Sequence, residues 1–347
     1  MVNKIGWGVL GAASIAVGMV IPAIQQSRRG RVVALGSRDQ DKAKATAASL
    51  GIGRVHASYE AVLADPNVEA VYISLPNSLH VEWIIKAAAA GKHVLCEKPI
   101  ALTATEAATA AAECTRRGVK LMEGFMYRFH PQTRRVQELL ALGVIGEIKE
   151  ARVHLSVNFI DVADSRNVRF QPALGGGALL DMGCYTVNAA RMIFNSEPRR
   201  VIARLGIDSR YGVDRNAHGI LEFAKGMALI SCGFDAQGLG HYSIVGTKGV
   251  IEVPRGFIPG YGTFAAEAMV IIVDGDGNRS EEYLAPVNQY GLMADAFCEA
   301  IAGGNEAFLP PSDSIRNMAV LDALDRSAKS GSFEAVCENA PNNDPTP

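Results

Sequence analysis

Two places in this sequence set an acid beside a base or a phenol at a spacing that could move a proton. The first is Glu97-Lys98-Pro99, which ends the apolar run Val94-Leu95-Cys96. A lysine at the tip of a buried strand is partly desolvated, and desolvation lowers its pKa. Pro99 restricts Lys98 to an extended backbone and admits a cis bond, which would aim the ammonium. A plain strand-end ion pair between Glu97 and Lys98 is the competing reading. The second place is Asp181-Met182-Gly183-Cys184-Tyr185, where carboxylate and phenol stand four residues apart and share one face of a helix. Such a pair among apolar residues needs partners. Lys98 is a suitable one, because a cation beside Tyr185 lowers the phenol pKa. In isolation the same spacing also fits a bridging Asp and an amphipathic core Tyr. The run Gly175-Gly176-Gly177 before it lets the backbone approach another domain or a ligand closely.

Lys98 stands at a strand tip only if the chain around it alternates strand and helix, and the pattern predicts that it does. Strand-like runs cover 4–10, 31–36, 70–75, 93–96 and 120–124; helix-like runs cover 16–28, 39–50, 59–64, 80–90 and 103–117. Such alternation with short connections gives a parallel sheet wrapped on both faces, which binds ligands beyond the carboxyl ends of its strands. After about residue 125 strands predominate, at 149–158, 199–208, 218–223, 227–234, 242–245, 250–253 and 269–273, separated by turns such as Lys225-Gly226, Lys248-Gly249 and Asp276-Gly277. A helix over 177–194 interrupts them, and helices at 292–302 and 314–330 close the chain. The predicted plan is an α/β domain with a parallel sheet over 1–125, then an α+β domain over 126–290 with a large, mostly antiparallel open sheet. A helical segment over 291–347 packs back on the first domain and ends in a disordered tail.

The turn after the first strand reads Gly11-Ala12-Ala13-Ser14-Ile15-Ala16. It fits the dinucleotide fingerprint G-x-G-x-x-G/A with Ala13 in the second glycine slot. The pattern supplies a tight turn, a close backbone approach to pyrophosphate and a helix N-terminus facing it. A glycine-rich turn without a ligand is the bland alternative. At the end of the next strand an NAD site usually has an acid; this chain has Ser37-Arg38-Asp39. A hydroxyl and a guanidinium suit the 2′-phosphate of NADP, and Asp39 either caps the next helix or leaves NAD use open. Ser74-Leu75-Pro76-Asn77-Ser78-Leu79-His80 follows the strand Val71-Tyr72-Ile73 at the same edge. Asn77 there can hydrogen-bond the nicotinamide end, and His80 opens a helix either at the site or as a surface residue.

Net charge is −2 with Lys and Arg scattered, so no basic stripe points to nucleic acid or an anionic membrane surface. Apolar stretches are too short or interrupted to span a bilayer. Cys96, Cys114, Cys184, Cys232, Cys298 and Cys337 occur singly, which reads as buried free thiols in a cytoplasmic protein rather than disulfides or a metal site. The N-terminal residues lack the order of regions that marks a secretory signal.

Taken together, GVLGAASIA, SRD, YISLPNSLHVEW, CEKP, MEGFMYRFHP and GGGALLDMGCY resemble the Gfo/Idh/MocA oxidoreductase family over nearly the whole chain, including the Gly246-Thr247-Lys248-Gly249 turn. The branch it looks most like holds glucose–fructose oxidoreductase, aldose (xylose) dehydrogenases and dihydrodiol dehydrogenases. Other branches carry His at the place of Tyr185. The resemblance implies a Rossmann domain followed by the α+β domain, and hydride transfer between a nicotinamide and a sugar or polyol. It makes Lys98 and Tyr185 the acid/base pair and Asp181 the group that orients the substrate. Gly11, Ala12, Ala13, Ser14, Ile15, Ser37 and Arg38 would hold the cofactor's phosphates and adenosine half. Leu75, Asn77, His80, Glu97 and Lys98 would surround its nicotinamide half, with Arg169 and Tyr290 reaching it from the second domain. Tyr127 and Arg128 are further cleft candidates. The implied activity is an NADP-preferring aldose 1-dehydrogenase, with trans-dihydrodiol dehydrogenase, dicarbonyl sugar reductase or a silent dinucleotide sensor as alternatives. The implied assembly is a homodimer or homotetramer through the second-domain sheet.

Overall fold

Residues 4–159, 164, 166–238, 240–259 and 267–336 are described by the structure, a computed structural model; Cys337 and the predicted tail lie outside the described residues. Strands β1 (Ile5–Leu10), β2 (Gly30–Gly36), β3 (Arg54–His56), β4 (Ala70–Ile73), β5 (His93–Cys96) and β6 (Leu121–Glu123) form one sheet in the order β3-β2-β1-β4-β5-β6. Every pairing in it is parallel. All residues of β1 and β4 are buried, as expected where helices cover both faces. The chain builds outward in opposite directions from the β1–β4 seam, and this reversal opens a crevice at the carboxyl ends of these strands. Gly11, Leu75 and Lys98 all follow strands that end on that edge.

The second sheet has nine strands: β7 (Ile148–Ser156), β8 (Arg200–Ile207), β9 (Asp214–Glu222), β10 (Met227–Gly233), β11 (His241–Gly246), β12 (Gly249–Val253), β13 (Ala268–Asp274), β14 (Arg279–Leu284) and β15 (Glu334–Ala335). They run in the order β14-β13-β12-β11-β7-β10-β9-β8-β15, antiparallel except for the β7–β10 pair. Burial alternates along β10, with Met227 and Leu229 exposed and Ala228 and Ile230 buried, so one face packs and the other is open. Helix Cys184–Phe194 and helix Pro311–Ser330 lie on the packed face. The latter also packs on helix Ala104–Arg117 of the first sheet, where Asp322 accepts a hydrogen bond from the Ala104 amide at 2.9 Å.

Several elements differ from the sequence expectation. Asp39 and Thr103 are side-chain caps rather than helical residues. The edge strands β3, β14 and β15 and the helix Pro131–Ala141 were not anticipated, although Pro131 at its first turn and the His130 cap mark that helix locally. The segment expected as a helix from Gly177 starts later, as a wide π turn over Leu179–Gly183 that continues as an α-helix from Cys184.

Candidate active site

The glycine turn has the geometry its residues predict. Gly11 has φ +99°, and a Cβ there would stand 3.0 Å from Leu75 Cδ2 and 3.1 Å from the Ser74 carbonyl oxygen. Its amide donates to Gly36 O at 2.8 Å, and Ser74 Oγ donates to Leu10 O at 3.2 Å, so β1, β2 and β4 are pinned together behind it. Ala12 and Ala16 are buried, while Ala13, Ser14 and Ile15 lie toward solvent on the entry to the first helix. A turn of this shape at a helix start could hold a phosphate-bearing ligand.

At the end of β2, Asp39 accepts from the Lys42 amide at 2.9 Å and caps the following helix, while Ser37 Oγ accepts from the Asp39 amide at 3.2 Å. Arg38 is exposed and borders a cleft with Ser37, Ser58, Tyr59 and Trp83. Tyr59 and Trp83 meet edge to face at 4.9 Å. Burial pushes the Tyr59 phenol up while the adjacent Arg38 guanidinium draws it back. Sequence reasoning passed over both aromatics: they stand on the helices expected at 59–64 and 80–90, and only the fold brings those two helices together against Ser37 and Arg38.

The residues expected to move a proton meet where the end of β5 reaches the turn Leu179–Gly183. Lys98 Nζ donates to Asp181 Oδ1 at 2.8 Å and to the Asp181 carbonyl at 2.7 Å, and Arg169 Nε donates to Asp181 Oδ2 at 2.7 Å. Arg169 also lies over the Phe159 ring, 4.8 Å from its centroid. Burial opposes the Asp181 charge, but Arg169 and then Lys98 outweigh it and hold the carboxyl well below the usual carboxylate range. Lys98 is the mirror case. Burial works against its charge, yet the Asp181 carboxylate prevails and raises the ammonium above its ordinary value. The expectation of a depressed Lys98 pKa is therefore corrected: desolvation acts as foreseen, and a carboxylate at hydrogen-bond distance overrides it.

Tyr185 shares the site but not in the expected way. Lys98 Nζ lies over its ring, 5.0 Å from the centroid, and the phenol donates to Met126 Sδ at 3.4 Å. Phe125, Phe257 and Tyr127 surround the ring at centroid distances of 5.3, 5.7 and 6.1 Å. Burial in this aromatic nest, with Tyr290 and Glu97 nearby, raises the phenol well above its ordinary value, a second correction to the expected depression. The Glu97–Lys98 ion pair is not formed either. Glu97 Oε1 accepts instead from Tyr72 Oη at 2.6 Å, and burial raises its carboxyl while Lys98 pulls it down. Tyr72, fully buried on β4, was missed by the sequence reading; it reaches Glu97 only because β4 and β5 are neighbours, with Tyr72 opposite Leu95. The Lys98–Pro99 bond is cis.

Other expected residues take supporting positions. Asn77 Nδ2 donates to Gly175 O at 2.8 Å, and a Cβ on Gly175 would overlap Leu102 and crowd Asn77. The close approach foreseen for the glycine run is thus, at this residue, an approach to the first domain. His80 is fully buried, its ring nitrogens 2.8 Å from Pro99 O and 2.9 Å from Leu75 O. It touches no open space, so it is corrected from a cofactor contact to a tie between two loops of the cofactor edge. Leu75 covers Gly11. Tyr290 begins the helix Gln289–Gly303, whose first amides Asn288 caps. Tyr127 is fully buried with its hydroxyl on Asn188 Oδ1 at 2.5 Å, so it does not line a cleft; Arg128 Nη1 reaches the same Asn188 oxygen at 3.2 Å. Among the described residues, no group of three or more His, Cys, Asp or Glu is placed to hold a metal, and no helix is long and apolar enough to cross a membrane.

Comparison with known proteins agrees with this architecture. Residues 5–125 match the family model described as the oxidoreductase family with an NAD-binding Rossmann fold, and residues 133–252 match the GFO/IDH/MocA C-terminal domain. The chain is 38% identical over 326 residues to D-xylose 1-dehydrogenase (NADP(+)) 2 of Haloferax volcanii, covering 94% of this chain and 98% of that protein. The crystal structure of aldose-aldose oxidoreductase from Caulobacter crescentus, complexed with glycerol, superposes with a TM-score of 0.87 at 29% identity, covering 96% of this chain and all of that one. A 3-ketoreductase from Actinomadura kijaniata, in complex with NADP and TDP-benzene, superposes with a TM-score of 0.86 at 32% identity, covering 94% and 98%.

Proposed function

The chain belongs to the Gfo/Idh/MocA oxidoreductase family, and from that premise we propose that it is an NADP-preferring sugar dehydrogenase whose favoured reaction is oxidation of an aldose at C1 to its lactone. The observation that carries this reading is the meeting of Lys98, from the cofactor edge of the first sheet, with Asp181 and Tyr185, from the helix of the second. Gly11 to Ile15 would hold the pyrophosphate. Ser37 and Arg38 would hold the 2′-phosphate, a role favoured by the commitment of Asp39 to its helix cap. The NADP in the names of the xylose dehydrogenase and of the 3-ketoreductase complex supports the same preference. When bound, the nicotinamide supplies the redox chemistry by exchanging hydride with the substrate carbon.

In this mechanism Tyr185 moves the hydroxyl proton and Lys98 stabilises the phenolate with its charge. Asp181 fixes Lys98 through one carboxylate oxygen and Arg169 through the other, and would orient the sugar with its remaining acceptor capacity. Both Tyr185 and Lys98 hold their protons at neutral pH, so the pair is set to donate a proton in reduction, whereas oxidation requires Tyr185 to ionise first. Sugar oxidation should therefore accelerate as pH rises above neutrality and reduction should not. The open face of the second sheet, where Met227 and Leu229 stand exposed, is the surface assigned to self-association as a homodimer or homotetramer, and the buried free thiols fit a cytoplasmic setting.

The test is a panel of aldoses, dihydrodiols and ketosugars followed by NADPH absorbance in both directions across pH. Aldoses turned over fastest, with an alkaline rise in oxidation, support the reading. A clear preference for dihydrodiols or dicarbonyl sugars refutes the substrate class, and tight NADPH binding with no turnover of any substrate refutes catalysis.

A further inference from the structure

The helix that carries Asp181 and Tyr185 begins without a capping side chain of its own. Its first residues follow Gly175-Gly176-Gly177-Ala178, and the Ala178 position makes no side-chain cap hydrogen bond. A helix start leaves amides unpaired that must find acceptors when buried. Here the acceptor comes from β9. Asp214 Oδ2 accepts from the Leu179 amide at 2.6 Å, and the Ala178 amide also faces its carboxylate. Gly177 has φ +115°, and a Cβ on it would overlap Asp214 Oδ1, so the third glycine is what admits the carboxylate. A register shift between Gly206 and Ile207, next to the Ile207–Asp214 pairing, sits where the strand delivers this side chain. The Gly177 amide donates to Arg169 O at 3.0 Å and the Asp181 amide to Gly177 O at 3.1 Å, so one turn joins Asp214, Arg169 and Asp181.

We propose that Asp214 is the cap, supplied across 35 positions of sequence, of the helix bearing Asp181 and Tyr185, and thereby a positioning residue for the reaction. The proposal rests on the reading of that helix as catalytic. Loss of the carboxylate frees the first turn, including the Asp181 carbonyl and carboxylate that hold Lys98. The other ionisable groups around Asp214 are Asp325 on helix Pro311–Ser330 and Cys232 on β10, while Arg215 beside it pairs with Asp208 at 3.5 Å. Burial pushes the Asp214 carboxyl up to about 6 against the pull of the amides it accepts from. The cap is therefore charged above that pH and neutral below it.

The experiment compares Asp214→Asn and Asp214→Ala with the wild type by hydrogen exchange and by kinetics. Exchange over residues 178–185 should be roughly tenfold faster in Asp214→Ala, with the glycine turn at 11–26 unchanged. Turnover should fall by about 10- to 100-fold while the KM for NADP holds within about twofold. Asp214→Asn keeps one acceptor oxygen and should lie between, and an acid limb of kcat near pH 6 should disappear in it. If Asp214→Ala does not fold, Asp214→Asn carries the exchange comparison. Unchanged exchange overturns the cap, and faster exchange with wild-type turnover and an intact acid limb overturns its positioning role. Lys98→Ala is run alongside: full turnover in it defeats the reading of the site, while the exchange result still decides the cap.

Discussion

Glu123, the last residue of β6, offers a prediction whose size follows from its surroundings. It is 1% exposed; Oε1 accepts from the Ile100 amide at 2.9 Å, and Oε2 has no hydrogen-bond partner, the nearby Ser314 hydroxyl easing the carboxylate without closing bond geometry. Burial is the main force on this carboxyl and pushes it up to about 7 from an ordinary 4.5, with Asp313 adding to the rise and Arg191 opposing it. A folded pKa above the unfolded one means that the stabilising protonated form is fully present below pH 4.5 and is lost as pH climbs through about 7. The difference of about 2.5 units, at 1.36 kcal/mol each, amounts to roughly 3 kcal/mol of stability lost by pH 9. Glu123→Gln keeps an oxygen for the Ile100 amide and carries no charge, so it escapes that loss. Thermal unfolding of both proteins at pH 5, 7 and 9 should give near-coincident midpoints at pH 5 and a midpoint several degrees higher for the variant at pH 9. Asp214, raised in the same direction, contributes equally to both curves and drops out of the comparison. Parallel curves, with no gap opening between pH 5 and 9, would refute the argument.

Two further outcomes follow from the site. Lys98→Ala should lower turnover by roughly 10²–10⁴-fold while cofactor binding, read by NADPH fluorescence, persists; near-wild-type turnover would sink the assignment. Arg38→Ala should weaken NADP by about 10- to 100-fold and NAD far less, because a charge-assisted hydrogen bond to a phosphate is lost; equal losses for the two cofactors would contradict the clamp.

What could be read in the sequence was what is local. Gly11 to Ala16 and the alternation around them were legible because a tight turn and a buried strand each declare themselves within ten residues. The i, i+4 relation of Asp181 and Tyr185 was likewise visible, but their partner was not. The ammonium of Lys98 could have turned to the phenol or to the carboxylate, and only the packed structure shows that it took the carboxylate. Tyr72 and Asp214 were invisible for a related reason. Each acts on a segment that adjacency of strands or a helix start brings to it, and nothing in their own neighbourhoods marks them. His80 was misplaced because a lone histidine at a helix start reads as exposed, whereas this one is folded under the strand ends with a carbonyl at each ring nitrogen. The polar strand Arg279–Leu284 was missed because most of it is exposed, which leaves no apolar alternation to detect.

The contacts between the two sheets change what the glycine run and the charged residues mean together. Lys98 to Asp181 and Asn77 to Gly175 are two hydrogen bonds of 2.8 Å that tie loops of the cofactor edge to one turn of the second domain. That same turn is fixed from behind by Arg169 and Asp214. A shift of either sheet by an ångström would therefore strain a buried ion pair and a backbone contact at once, and a buried charge stripped of its partner is strongly destabilising. Three glycines, far from marking a loose segment, admit the Asn77 side chain, the Arg169 and Gln171 carbonyls and the Asp214 carboxylate where a Cβ would push each away. On the proposed reading, Lys98 and Tyr185 are held in register through Asp181 by Arg169, by Asp214 and by the Asn77–Gly175 tie, which is the preorganisation that proton and hydride transfer between two domains would require.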